Sequence, residues 1–481
     1  MIFNSLTYFV LLFSVVILYW ILPYRARLLL ILTASLTFYG FWRIEFIPVM
    51  LISVVVDYFI ALRMPDAGEQ KKRKLLVISI VVNLGLLFYF KYLIFFADNA
   101  VGFANLLGAN IDPLVMNIIL PLGISFYTFQ TISYSVDVYR GFIKPEKDFI
   151  LYACYVTFFP QLVAGPVLRA AEVLHQFKNR IPFQWHDIVV GLRRVFYGLF
   201  LKVVLADNIA PFVDIGYSMP VDTMSALDVW TLAFLFGFQI YFDFCAYSHI
   251  ALGSARMMGI RFPENFNFPY VATSPKDFWG RWHISLSSWI RDYLYFPLAG
   301  VKVQDRSVGG LSAATIKSKN TRSLFLTWVI MGLWHGANWT FILWGIYHSI
   351  VIFLYRIMLP VIKLFNMKIR IYGGMLVTLF LMMLAWVPFR ADSLDNTFTM
   401  WSKVIDLSAY FSISMRENTY LVTALLTIGM LMIYWVKEKL LPVMKNHIVL
   451  NFVGESIFFS IIISLIIIYL RPTNQFIYFQ F

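Results

Sequence analysis

From Ser323 to Tyr355 the chain carries no Asp, Glu, Lys or Arg. Basic residues close both ends: Lys302, Arg306, Lys317, Lys319 and Arg322 before the run, against Asp305, and Arg356, Lys363, Lys368 and Arg370 after it. Length and flanking charge together restrict the fold. One straight helix over this run would be about 50 Å long at 1.5 Å per residue, too long for an untilted bilayer span. Two full spans would be barely accommodated. Cytoplasmic loops collect Lys and Arg, so both ends belong on the same side. A hairpin or re-entrant pair turning at His335-Gly336 satisfies both demands and puts His335 roughly 18 Å from the inner face, near mid-membrane. A polar ring in hydrocarbon is costly and is seldom retained without a role. Gly332 and Gly336 bracket it, where a helix can break and expose backbone.

The rest of the chain is of the same kind. It is 60% hydrophobic, 18% aromatic and 14% charged over 481 residues, which excludes a soluble domain. The fold class expected is an all-α polytopic membrane protein. Eleven spans are read near 5–22, 28–42, 46–63, 75–96, 114–135, 149–168, 188–206, 226–252, 371–388, 419–436 and 453–470. Residues 5–22 have no basic segment before them and no small-residue cleavage site, and read as a retained first span. With no tandem repeat, residues 1–481 read as one integral domain: N-terminal helices over 1–110, a core over 111–391 and C-terminal helices over 392–481.

The net charge of +13 is distributed between apolar runs, so it argues for the positive-inside bias and against a nucleic-acid partner. Lys71, Lys72, Arg73 and Lys74 mark a cytoplasmic loop, whereas 97–113 has no Lys or Arg; Arg140, Lys144 and Lys147 mark the next inner loop. Alternation from these markers puts both termini outside. Cys154 and Cys245 lack C-x-x-C spacing, and no His, Cys, Asp or Glu cluster has metal-ligand spacing, so no metal is expected.

Three other segments carry polar groups. Residues 277–298 have helical periodicity, with Phe278, Trp282, Leu286, Trp289 and Tyr293 opposite Arg281, Ser285, Ser288 and Asp292. An aromatic face against a charged one suits a helix lying flat in the membrane interface. Within it His283, Ser287 and Arg291 repeat every four residues and could line a polar entrance beneath His335. Asp243 and His249 end a long apolar span, where an acid demands a partner or a cavity; a purely structural polar network explains them equally well. Phe158–Pro166 is interrupted by Pro and Gly, a pattern tolerated where backbone lines a cavity or is buried in protein. Asn265-Phe-Asn-Phe-Pro269 reads as an ordered loop. His175, His186 and His447 sit in polar surroundings and read as solvated, and His348 serves as well as a packed core residue as it does as a partner.

Taken together, the segments Pro121–Gln130, Phe158–Pro166, Asn265–Pro269, Trp282–Tyr295, Met331–Gly336 and Phe476–Phe481 resemble the membrane-bound O-acyltransferase (MBOAT) family, and within it the bacterial alginate O-acetylase branch. The resemblance implies a ring of about eleven tilted helices plus re-entrant segments around a trans-membrane tunnel. It assigns His335 to the family's catalytic histidine and His283 to its second signature histidine. It implies no tightly bound cofactor, an acetyl donor (acetyl-CoA or another acyl carrier) on the cytoplasmic side, and an esterase-like partner beyond the bacterial inner membrane that completes transfer to a polysaccharide hydroxyl. Two features depart from the branch: His249 stands where a carboxylate is common, and Ala299-Gly-Val-Lys-Val follows the 277–298 segment in place of a Gly-Gly-Asn-Arg turn.

The chemistry agrees with the residues. O-acylation requires a base for the hydroxyl or a nucleophile for the acyl group, and a histidine can serve as either. Trp334 and Trp339 could wall the site, and Asn338 could orient the imidazole or donate to an oxyanion. The competing readings are D-alanyl transfer to teichoic acid, a transporter with broken helices, and a non-enzymatic export scaffold.

Overall fold

The computed structural model describes residues 3–163, 165–179, 181–301, 320–440, 442 and 448–470. The described chain is helical, with no strand among the described residues. The first helices are α1 (Leu6–Ile21), α2 (Tyr24–Gly40) and α3 (Ile47–Arg63). Then α4 (Glu69–Leu87) runs through a π-helical turn (Phe88–Tyr92) into α5 (Leu93–Leu106). Next come α6 (Ile124–Tyr139), α7 (Phe149–Thr157) and α8 (Ala170–Lys178). After α9 (Trp185–Leu199), a π-helical stretch (Phe200–Ala206) leads into α10 (Asp207–Tyr217). The long α11 (Ala226–Met257) precedes short pieces α12 (Pro275–Trp279) and α13 (Ile284–Ile290), a π-helical turn (Arg291–Tyr295) and α14 (Phe296–Leu298). The C-terminal half has α15 (Thr321–His335), α16 (Trp339–Ile362), α17 (Met367–Arg390), α18 (Leu394–Ile405), α19 (Glu417–Trp435) and α20 (Ile448–Tyr469).

Among the described residues, seven helices are long and apolar enough to cross a membrane: Ile44–Arg63, Glu69–Leu106, Ala226–Met257, Trp339–Ile362, Met367–Arg390, Glu417–Lys439 and Phe452–Tyr469. The molecule is a multi-pass membrane protein. The expected spans at 5–22 and 28–42 are helices of 16 and 17 residues, just short of a full crossing. The expected span 114–135 is corrected. Residues 109–121 are not helical, and 109–117 are exposed, Val115 at 96%, while α6 begins only at Ile124. Pro113 and Pro121 lack the amide proton a continuous helix needs, and Gly123 enters α6 with φ 71°, a conformation costly for other residues. The loop expected at 97–113 is likewise shorter, because α5 persists to Leu106. The basic loop 299–322, His447 and the Phe476–Phe481 ending lie mostly or wholly outside the described residues.

Helix α11 is the interior post, buried nearly end to end against α9, α10, α17 and α18. Its Asp243 carboxylate meets the Lys202 ammonium at 2.9 Å, and Lys202 meets Asp207 at the same distance. A second interior polar cluster joins α3, α4 and α6. Asp57 accepts from Ser79, from Asn83 Nδ2 at 2.6 Å and from Ser135 Oγ at 3.1 Å, and Thr131 Oγ1 donates to Asn83 at 2.9 Å. A carboxylate survives among apolar helices only with its lone pairs satisfied in this way. The break at Phe158–Pro166 is also explained, since Phe158, Phe159, Gln161 and Leu162 are buried in protein and not exposed to lipid.

Candidate active site

The uncharged run folds as the hairpin expected of it, with α15 and α16 packed antiparallel and turning over Gly336–Asn338. The close contact depends on two glycines. A Cβ on Gly332 would lie 2.2 Å from the Phe341 carbonyl oxygen, and one on Gly345 would lie 2.2 Å from that of Trp328. The role of Gly332 is therefore close packing, and it leaves α15 unbroken. His335 is the last residue of α15, buried among Trp334, Trp344 and Phe389 with ring centroids 4.8, 4.9 and 5.1 Å away.

Residues 277–298 do not form one flat interfacial helix, which corrects that expectation. Phe278, Trp282, His283, Leu286, Trp289 and Asp292 are all buried, and the segment breaks into α12, α13, a π-helical turn and α14. Periodicity reports that two faces differ; it does not say that the polar face meets water. Here that face is occupied by protein. Asp292 pairs with Arg169 at 2.8 Å and Arg291 at 2.7 Å, and Arg169 donates to Ser288 Oγ at 3.0 Å.

The break falls at His283, which caps α13 with φ 42° and ψ 54°. A non-glycine residue in the left-handed region costs about 1–2 kcal/mol and persists only where its surroundings hold it. Asn265 supplies much of that hold. Its Oδ1 accepts from the Ser285 amide at 3.2 Å and Ser285 Oγ at 2.8 Å, and lies 3.1 Å from His283 Nδ1. An amide N–H can only donate, so the Ser285 contact identifies the Asn265 atom as oxygen, and the imidazole must present Nδ1–H to it. His283 Nε2 is then the acceptor nitrogen. It is buried with no hydrogen-bond partner among the described residues, beside the rings of Phe126, Phe244 and Phe266. That is the form in which an imidazole can take a proton.

Helix α6 links the two histidine segments. Phe126 lies 6.4 Å from the His283 ring and 6.2 Å from Trp334, and Phe129 stacks on both Trp334 (5.1 Å) and Trp289 (4.0 Å). His335 and His283 thus belong to one aromatic interior, bridged by Phe126 and Trp334. Sequence reasoning passed over Phe126, Phe129 and Phe389, although Pro121–Gln130 stood among the segments that carried the resemblance.

The other expected site residues divide. Trp334 walls the His335 side. Trp339 is half exposed and turns to α5, its Nε1 donating to Asn99 at 2.8 Å. Asn338 Oδ1 accepts the Thr340 amide at 3.0 Å and caps α16, so that oxygen is committed to the helix end. Together with Phe95, Asp98 and Phe103, Asn338 and Trp339 line a surface cleft of about 700 Å³ behind the hairpin turn. Asp243 belongs to the Lys202 ion pair. Ser287 Oγ donates to the Trp282 carbonyl at 3.1 Å, and Arg291 reaches the surface. Along the row His283, Ser287, Arg291 the residues go from buried through half-buried to exposed. His348 sits in a cage of Trp279, Trp328 and Trp344 at 5.0, 5.2 and 4.6 Å, as a packed residue. Among the described residues no group of three or more His, Cys, Asp or Glu is placed to hold a metal.

Comparison with known proteins agrees with this architecture. The profile of the membrane-bound O-acyltransferase family matches residues 144–390, which contain both histidines. The chain is 37% identical to the probable alginate O-acetylase of Azotobacter vinelandii, over 88% of this chain and 82% of that one. It is 35% identical to the peptidoglycan O-acetyltransferase of Helicobacter pylori, over 80% of this chain and 75% of that one. A more distant match, the teichoic acid D-alanyltransferase of Bacillus subtilis, is 29% identical over 50% of this chain and 60% of its own length. With the profile spanning the site and relatives aligned along most of its length, the chain belongs to the membrane-bound O-acyltransferase family and is an O-acyltransferase.

Proposed function

We propose that this protein moves acetyl groups across a bacterial inner membrane for O-acetylation of an extracytoplasmic polysaccharide, with His335 as the catalytic group and His283 in support. What carries the reading is the pairing of two buried histidines, each at a helix terminus and in one aromatic shell, in a chain whose relatives along most of its length are O-acetyl transferases of cell-surface polymers. As a base, His335 takes the proton of the attacking hydroxyl while that oxygen bonds to the acetyl carbon. The bond to the donor's leaving group breaks, and the proton passes from the imidazole to that group. The aromatic shell excludes water, which protects the acetyl group from hydrolysis. His283, with Nδ1 held by Asn265, leaves Nε2 to accept a proton or a donor hydrogen bond. The donor is a cytoplasmic acetyl carrier such as acetyl-CoA, and an esterase-like partner outside the membrane completes transfer. About eleven crossing or re-entrant helices would ring the tunnel in which donor and acceptor meet.

Deleting the gene should strip ester-linked acetate from the surface polymer and leave D-alanyl esters of teichoic acid unchanged. The opposite pattern would transfer the reading to D-alanyl transfer, whose relatives match only about half of the chain.

Two further outcomes are expected. The proposed orientation has both termini outside and the Lys71–Lys74 segment at the start of α4 inside. A cysteine at Lys72 in an otherwise cysteine-free chain should resist an impermeant maleimide added to whole cells and react in inside-out vesicles; labelling in whole cells would invert the topology. Replacing Asn265 by Leu removes the acceptor that selects the His283 tautomer. Acetyl transfer should fall about 10–100-fold, the scale of lost positioning or orientation of an acid–base group. An unchanged rate at matched membrane abundance would remove His283 from the mechanism.

A further inference from the structure

A helix ends with carbonyl oxygens that have no partner inside the helix, and a buried end needs donors from elsewhere. Helix α15 ends at His335, and the amide of its capping residue Gly336 returns no hydrogen bond to the last turn. The donor comes from the far N-terminal part of the chain. Lys91 Nζ lies 2.7 Å from the Trp334 carbonyl oxygen and 2.9 Å from that of His335. Both hydrogen bonds of this lysine go to main-chain oxygens, and its ammonium also lies 5.9 Å from the Trp334 ring. A cation at a helix C-terminus is also favoured by the helix dipole.

Lys91 does not act alone. It sits in the π-helical turn Phe88–Tyr92, where the extra residue rotates α5 relative to α4. Counting on by fours gives Phe95 and Asn99, on the same side of the element. Phe95 lies against Trp339 at 5.8 Å, and Asn99 accepts from Trp339 Nε1 at 2.8 Å. One helix face thus grips the hairpin on both sides of its turn: Lys91 on the carbonyls that end α15, Phe95 and Asn99 on the first residue of α16. We propose that Lys91, Phe95 and Asn99 form a positioning clamp that sets the His335 imidazole by fixing the backbone at the hairpin turn. The inference rests on the reading of His335 as the catalytic group. Lys91 is a positioning residue, because it touches the main chain of that histidine and not the acetyl group.

The test uses the full chain in inside-out membrane vesicles given radiolabelled acetyl-CoA over a concentration range, with acetate incorporated into polymer as the readout. Lys91→Met keeps the aliphatic stem and deletes the donor. At matched abundance kcat should fall about 10–100-fold, as for a small misplacement of a reacting group, with KM changed less than about twofold. Lys91→Arg, which can still reach two carbonyls, should restore most of the rate. In a His335→Ala background, Lys91→Met should cause no further loss, because a clamp has nothing left to position. Wild-type kcat in Lys91→Met, or a further fall in the His335→Ala background, overturns the clamp. If Lys91→Met does not accumulate, Trp339→Phe keeps the ring on Phe95 and loses only the bond to Asn99. A several-fold fall in kcat supports the clamp there, and an unchanged kcat overturns it. Full activity in His335→Ala would instead overturn the functional reading itself, so the two failures are distinct.

Discussion

Replacing His335 by Ala should lower acetyl transfer by about 10²–10⁴-fold, the usual share of a positioned acid–base group, or abolish it if the imidazole carries the acetyl group. Folding should largely survive, since the change adds neither charge nor unsatisfied polar group to a pocket walled by Trp334, Trp344 and Phe389. His335→Phe, which keeps the volume filled, should be equally inactive and so separates chemistry from packing. His348→Phe should retain most of the rate, because the cage of Trp279, Trp328 and Trp344 needs only a flat ring. The measurement is polymer acetylation in cells carrying each variant at matched membrane abundance. Wild-type acetylation with His335→Ala would end the assignment of the reaction to this histidine.

The second large effect is structural. Lys202 is buried between Asp243 and Asp207, and Asp243 is itself buried on the interior helix α11. Lys202→Met leaves a carboxylate in the interior without its cation, a change that costs about 3–5 kcal/mol in buried pairs. The variant should lose most of its membrane abundance or thermal stability in detergent, and Lys202→Met with Asp243→Asn should regain much of it. Asp243→Asn alone, with Lys202 still held by Asp207, should keep acetyl transfer near the wild-type rate. A site carboxylate would not allow that. Loss of activity in a stably folded Asp243→Asn would return Asp243 to the chemistry.

These expectations differ in how much could be read before the fold was known. The uncharged run from Ser323 to Tyr355 already required a turn in the membrane, because its length and its basic flanks allow little else. The Pro and Gly at 158–166 already marked a break that could be a kinked span or backbone lining a cavity or buried in protein, a choice the fold made, and Asn265–Pro269 already read as an ordered loop. The periodicity of 277–298 was equally clear but its environment was misread. An amphipathic pattern is the same whether the polar face meets water or meets Arg169. Span 114–135 failed for a related reason: hydropathy sums over Pro121 without registering that it removes a helix hydrogen bond.

What the sequence by itself determined is the class of protein, the hairpin that ends α15 at His335, and, through motif resemblance, the acyltransferase family. The first two follow from local composition, charge and spacing, which the chain carries with it unfolded; the family follows from the resemblance of its motifs. Only the tertiary structure decided which groups meet. Phe126 reaches from α6 to lie between His283 and Trp334, Phe389 closes on His335 from α17, and Lys91 closes the end of α15 from some 240 positions earlier in the chain. Trp339 and Asn338, neighbours of His335 in sequence, turn away from it because a helix break reverses direction within a few residues. Adjacency in sequence constrains the backbone over one or two turns; contact between side chains is set by how apolar faces and unsatisfied polar groups are buried together, and that is a property of the whole fold.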